Sequence, residues 1–163
     1  MLNQGRKSRS IGIDYGRARI GMAMSDERKI IASPLTTIKA EKKIEDSVAK
    51  VATEIARLEE SGKGIDEVVV GLPLKMNGSM SSMTDEAVQF SDLLREAITC
   101  PLVTWDERLT SMQADRSMRD AKLSRKKRAK AIDSIAAVLI LQSYLDGKSN
   151  TLMPEMPNFP DNF

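Results

Sequence analysis

The order of apolar patterns along the chain predicts an α/β domain on a mixed sheet, and three observations carry that expectation. Short strand-like runs come first, and strands then alternate with helical patterns. Ile11-Gly12-Ile13-Asp14 and Ile20-Gly21-Met22-Ala23-Met24-Ser25 are close enough to form an antiparallel hairpin. Glu67-Val68-Val69-Val70-Gly71-Leu72 is continuously apolar after its first residue, the pattern of a parallel strand buried on both faces. With 163 residues, the chain fits one domain with a sheet and several covering helices.

The elements follow in order. Residues 1–9 are basic and polar and are expected to be a flexible N-terminus. Strands are expected near 10–15, 19–25 and 35–39. Ile44, Val48, Val51, Ala52, Ile55 and Leu58 recur at helical spacing, and Gly62-Lys63-Gly64 ends that helix. After the strand at 67–72, a polar loop from Pro73 to Met83 carries Asn77-Gly78 as its turn signal. Thr84 is the expected N-cap of the next helix, with Asp85 and Glu86 in its first turn and Phe90, Leu93, Leu94, Ala97 and Ile98 on its core face. Pro101-Leu102-Val103-Thr104-Trp105 reads as a strand, and helix is expected from about Ser111 to Gly147 with an interruption near 120–125. Residues 10–148 thus form the domain, and 149–163, with three prolines and two methionines, an extended tail. No repeat, dividing linker or low-complexity segment is present.

Composition narrows the chemistry. Apolar residues make up 41% and charged residues 29%, ordinary for a soluble protein. No apolar stretch reaches membrane-spanning length and the polar start lacks a signal-peptide core, so a cytoplasmic location and no membrane partner are expected. Cys100 is alone and beside an apolar run, which suits a small buried hydrophobe. The chain has no histidine, and that absence rules out Ser-His-Asp and Cys-His nucleophilic arrangements and His-ligated zinc. Hydrolysis would have to rest on carboxylates with a hard cation such as Mg²⁺ or Mn²⁺.

Several acids stand where the local pattern does not call for charge. Asp14 ends the first strand between Gly12 and Gly16; it either binds a cation or accepts hydrogen bonds from the turn amides. Asp106 and Glu107 follow the strand at 101–105. Asp133 lies in a helix apolar on nearly every side and shares a face with Ala136, Ala137 and Ile140. It either serves the site or pairs with Arg128 or Lys130. Two metal ions about 4 Å apart, bridged by such acids, generate hydroxide and stabilise both oxygens of a phosphoryl displacement. Basic residues accompany the acids: Arg17 and Arg19 beside Asp14, Arg108 beside Glu107, and six cations between Lys122 and Lys130, among them Arg125, Lys126 and Arg128. Such cations add a salt-sensitive, sequence-independent term to nucleic-acid affinity. Aromatic residues are only 4%, so recognition should favour backbone and shape over base stacking.

Taken jointly, Gly12-Ile13-Asp14-Tyr15-Gly16 through Arg19-Ile20-Gly21, Val70-Gly71-Leu72-Pro73-Leu74 with Met76-Asn77-Gly78, Asp106-Glu107-Arg108-Leu109-Thr110 and Asp133-Ser134-Ile135-Ala136-Ala137 resemble the YqgF/RuvX family. The resemblance covers nearly the whole chain in order. It implies an RNase H-like fold similar to the RuvC resolvases: a five-stranded mixed sheet flanked by helices on both faces. Members of that family are regarded as nucleases maturing the 5′ end of pre-16S rRNA in ribosome biogenesis, and were earlier proposed as Holliday junction resolvases. Carried over by position, the catalytic set is Asp14, Glu107 and Asp133, holding Mg²⁺ or Mn²⁺, with Asp106 as the alternative second acid. The loop from Pro73 to Gly78, with Lys75 and Asn77, would contact substrate. Thr110 joins Arg17, Arg19, Arg108 and the 125–128 cations as expected nucleic-acid contacts.

These features lead to a metal-dependent phosphodiester hydrolase acting on pre-16S rRNA. A junction resolvase on branched DNA, which favours a homodimer because two strands must be cut, is the first competitor. A non-cleaving nucleic-acid-binding module is the second. A kinase-like phosphate site ranks last, since such enzymes use two domains of this kind.

Overall fold

The computed structural model of the chain describes residues 8–75, 77–106 and 125–152, and in the last of these segments the side chains of Ile135 to Lys148. Its strands are β1 (Ser8–Asp14), β2 (Arg19–Ser25), β3 (Ala32–Lys39), β4 (Gly64–Leu72) and β5 (Leu102–Asp106), and its helices are α1 (Ile44–Glu60), α2 (Ser82–Ala97) and α3 (Arg125–Leu152). The strands form one sheet in the order β3-β2-β1-β4-β5. β2 lies antiparallel between β1 and β3, while β1, β4 and β5 are parallel, so the expected mixed sheet is present. The three parallel strands therefore point their C-terminal ends to one edge, where α/β folds place their ligand crevice.

Strand alternation divides the core into two layers. Ile11, Ile13, Ile20, Met22, Val68 and Val70 face α1 and α2 and bury Val48, Val51, Ile55, Phe90 and Leu94 against them. The opposite face presents Ala23, Ala32 and Val69 to Ala137, Ile140, Leu141 and Leu145 of α3. Small residues on this second face let the helix come close. A Cβ at Gly12 would stand 2.6 Å from Leu141 Cβ and 3.0 Å from the Ala137 carbonyl oxygen. Val68, Val69 and Val70 are wholly inaccessible, as the apolar run in β4 predicts.

Element ends differ from the sequence pattern for identifiable reasons. β1 begins at Ser8, because Ser8 and Arg9 pair with Gly64 and Ile65 before a register shift. β3 begins at Ala32 and carries Pro34 through a register shift opposite Ala23, which the sheet tolerates because β3 is an edge strand. The N-cap of α2 is Ser81 rather than Thr84: Ser81 Oγ accepts from the Thr84 amide at 3.3 Å, while Thr84 Oγ1 accepts from the Ser81 amide at 3.0 Å. α3 continues through Gly147 to Leu152. Gly147 acts there as a gap for the Trp105 ring, since a Cβ would lie 3.1 Å from Trp105 Cη2.

At the N-terminal edge of the parallel strands, Glu67 is buried in a polar cluster. Its carboxylate accepts from Ser10 Oγ at 2.6 Å, Tyr144 Oη at 2.9 Å and Lys148 Nζ at 3.3 Å, with Lys29 Nζ at 3.6 Å. Burial pushes the Glu67 carboxyl up, but these hydrogen bonds and the two lysines outweigh it and hold it below its ordinary value. Burial and the bond to Glu67 push Tyr144 up to about 12. One acid thus ties β1, β4, α3 and the β2–β3 turn together at the end far from Asp14.

Candidate active site

Asp14 is the last residue of β1 and lies opposite Gly21 of β2. It follows Gly12 by two residues, so its side chain belongs to the α3 face of the sheet. Glycine at 21 leaves the position beside the carboxylate free of a side chain. Position 71, next after the Ile13–Val70 pair on the other neighbour, is also glycine. The carboxylate is therefore half-buried in a slot between two glycines at the ligand edge.

α3 leads to the same place. Gly12 sits under Ala137 and Leu141, and farther along the helix Tyr144 and Lys148 reach Glu67, which is level with Ser10. The helix therefore runs antiparallel to β1, and its earlier turns lie toward Asp14. Position 133 is one turn before Ala137, on the stripe of Ala137 and Leu141. That turn advances about 6 Å, close to the rise from Gly12 to Asp14 in the strand. The side chains of Asp133, Arg125, Lys126 and Arg128 lie outside the described residues, as do Glu107, Arg108 and Thr110 altogether.

Asp106 ends β5 at the same edge, paired with Leu72 across from β4. Two strand spacings, about 10 Å, separate β5 from β1. Val103 and Trp105 pack toward α3, and Trp105 Nε1 donates to Ser143 Oγ at 3.1 Å. Alternation consequently assigns Asp106, which is exposed, to the α1–α2 face, opposite to that of Asp14.

The segments beside Asp14 are held firmly. Tyr15 stacks on Phe90 with ring centroids 4.8 Å apart. Arg17 donates from Nε to Glu86 at 2.7 Å and from Nη2 to Ser82 Oγ at 3.3 Å, joining the β1–β2 turn to the first turns of α2. Its pKa rises through the bond to Glu86, while burial and then the Glu86 charge push Tyr15 upward, so the phenol stays protonated at neutral pH. Lys75 and Asn77 are exposed on the loop after β4, also at this edge. Asn77 Oδ1 accepts from the Ser79 amide at 2.9 Å and from its hydroxyl at 2.7 Å, and Gly78 has φ +83°. Thr84 Oγ1 donates to the Pro73 carbonyl at 2.7 Å and fastens the loop to α2. The sequence analysis read Glu86 only as a first-turn acid; no local pattern signals a partner 69 residues away.

The donors fit a hard divalent cation. The chain has no imidazole, and Cys100 packs with the α1–α2 core, leaving oxygen ligands only. Among the described residues no three acids, cysteines or histidines cluster on their own; Asp14 would need partners from 107 and 133.

A model of the RuvX family, described as Holliday junction resolvase, matches residues 8–147. The chain belongs to that family. A protein of Protochlamydia amoebophila named "Putative pre-16S rRNA nuclease" is 50% identical over 149 residues, covering 91% of this chain and 99% of its own. A relative of the same name from Caldanaerobacter subterraneus is 42% identical over 88% of this chain and 99% of its own. The fold is also that of Thermus thermophilus RuvC bound to a Holliday junction: TM-score 0.51 at 15% identity, covering 88% of this chain and 97% of that one. The RNase H-like architecture expected from the resemblance is thereby confirmed.

Proposed function

We propose that this RuvX-family chain is a divalent-metal-dependent nuclease that hydrolyses phosphodiester bonds, with precursor 16S rRNA as its substrate. The observation that carries the reading is the slot of Asp14: a carboxylate at the C-terminal edge of the sheet, between glycines, on the face toward which α3 directs position 133. The names of the relatives supply the substrate class.

Asp14, Glu107 and Asp133 would hold the cation. Asp106 belongs to the face opposite that of Asp14, which disfavours it as the second ligand and leaves that role to Glu107. A Mg²⁺ or Mn²⁺ held there would act as a Lewis acid, polarising an attacking water and offsetting the charge that develops on the phosphate. The chain's own residues position and charge-match the nucleic acid. Arg17, clamped by Glu86 and Ser82, presents a fixed cation beside the slot, Arg19 lies two residues from Gly21, and Lys75 extends from the loop after β4. Tyr15, kept protonated, offers a donor hydroxyl rather than a base. We propose Arg108, Thr110, Arg125, Lys126 and Arg128 as further backbone contacts, with the protein acting in the cytoplasm.

The test is Mg²⁺- or Mn²⁺-dependent cleavage of a pre-16S rRNA 5′ leader, with a four-way DNA junction in parallel and Asp14→Asn as control. Cleavage of the leader, abolished in the variant while binding persists, is the expected result. Cleavage of the junction alone would transfer the reading to the resolvase that the family description names. An Asp14→Asn protein that cleaves at the wild-type rate would refute the site.

A further inference from the structure

The geometry points to Trp105 as a positioning residue of the proposed nuclease site: its indole locks β5, the strand that runs on toward Glu107, to α3, the helix that carries position 133. This inference rests on the metal-dependent reading of the Asp14 edge and names the contact that sets its other two acids relative to one another.

β5 is five residues long and outermost in the sheet, with β4 as its neighbour in the strand order. A short strand at the margin of a sheet opens locally at low cost unless side chains hold it. Trp105 stands next to last in β5 and supplies that hold. Its ring enters the gap left by Gly147, where a Cβ would lie 3.1 Å from Cη2 and 3.6 Å from Cζ2. Nε1 donates to Ser143 Oγ at 3.1 Å. The ring also meets Tyr144 edge to face, with centroids 5.5 Å apart and planes at 82°. Tyr144 in turn donates to Glu67 of β4 at 2.9 Å, so the contact is anchored to the sheet as well as to the helix.

Helical geometry shows what this contact governs. At 3.6 residues per turn, the Trp105 contacts at 143, 144 and 147 centre about 90° around the helix axis from those of Gly12 at 137 and 141. Position 133 falls between the two directions. Contacts along one line leave a helix free to roll about its axis, and contacts along two lines do not. Side chains end about 5–6 Å from the axis, so a roll of about 10° carries one through about 1 Å. On the strand, position 107 is two residues beyond Trp105, about 7 Å in extended chain. Gln142 braces the other flank of α3, donating to the Ile30 carbonyl at 2.8 Å and accepting from the Ala32 amide at 2.9 Å. That brace ends at β3, which carries none of the proposed acids, whereas the Trp105 brace joins two elements that do. A hard divalent cation with oxygen ligands tolerates little displacement of any one of them.

Mn²⁺ binding to the full chain without nucleic acid, followed through the EPR signal of the free ion, tests the role. Trp105→Leu should weaken binding about tenfold, the lower end of what losing the orientation of metal ligands costs. Trp105→Phe keeps a ring in the notch and loses the bond to Ser143, so it should weaken binding less. Val51→Ala, wholly buried in α1 on the other face of the sheet, is the control: its urea midpoint should fall while its Mn²⁺ affinity stays unchanged. Wild-type affinity in Trp105→Leu, or an equal loss in Val51→Ala, overturns the positioning role. Where Trp105→Leu does not fold, wild-type affinity in Trp105→Phe overturns it. Asp14→Asn should lose Mn²⁺ binding; if it binds as the wild type does, or the wild type binds none, the metal reading beneath the inference falls instead.

Discussion

Gly12→Ala places a single methyl group between β1, which ends at Asp14, and the helix that carries position 133. Ordinary van der Waals contact begins at 3.4 Å, and the new Cβ would lie 2.6 Å from Leu141 Cβ and 3.0 Å from the Ala137 carbonyl oxygen. Neither neighbour is the far end of a flexible chain, so α3 and β1 must part by about 0.8 Å or more in an interior that packs like a crystal. Overpacking of this kind costs about 1–3 kcal/mol. For a domain of this size that corresponds to a fall in melting temperature of about 2–12 °C. The same displacement moves position 133 away from Asp14, and a misplacement near 1 Å lowers catalysis by about 100-fold. Thermal melting and single-turnover cleavage of the leader measure the two effects, and binding in EDTA should change far less than the rate. Leu141→Ala does not relieve the clash, because alanine keeps the offending Cβ; the double variant should be less stable than either single one. A Gly12→Ala protein that melts and cleaves as the wild type does would refute the close β1–α3 packing and the placement of the site built on it.

Four further outcomes follow from the geometry. Ser81→Ala removes one half of the reciprocal cap on α2 and should cost about 1 kcal/mol in urea unfolding; a loss below a few tenths would mean that Thr84 alone holds the helix start. Glu86→Gln frees Arg17 from its carboxylate, so the Michaelis constant for the leader should shift while the melting temperature stays put; the reverse pattern would make the pair a purely structural contact. The Glu67 carboxyl is held below its ordinary value in the folded state, so its stabilisation is present above about pH 4.5 and is lost as pH falls through the folded value; urea midpoints of Glu67→Gln should show a flatter acid limb than wild type. Tyr144, pushed up to about 12, stabilises fully below pH 10 and loses that contribution between pH 10 and 12, so Tyr144→Phe should flatten the alkaline limb, and an unchanged limb would count against the hydrogen bond to Glu67.

What could be read from the sequence was set by local pattern. The valine run of β4 declares burial on both faces, and the glycines around Asp14 declare a carboxylate in a turn next to a hairpin; the sheet bears out each. Alternation along β5 could have set Asp106 on the face away from Asp14, but only once Trp105 was known to pack on α3, and that packing depends on a glycine in the helix. Gly147 reads as a helix stop because its usual role is conformational; here the missing side chain makes room for an indole. The capping box at Ser81 was hidden by Thr84, which is an equally good cap by type and wins only the N3 position. Contacts between distant segments gave no local signal at all. Arg17 with Glu86, Glu67 with Tyr144 and Lys148, and Lys39 beside Arg19 each arise from chain topology that brings residues together across tens of positions.

The proline in β3 bears on how copies of this protein can meet. An edge strand with unpaired amides and carbonyls invites another chain to continue the sheet, a route to fibrils as well as dimers. β3 meets that hazard with a residue lacking an amide proton and, at the same point, a slipped register against β2. A second molecule approaching this margin finds a ladder with a missing rung and a bend. Self-association at β3 by strand addition is thereby disfavoured.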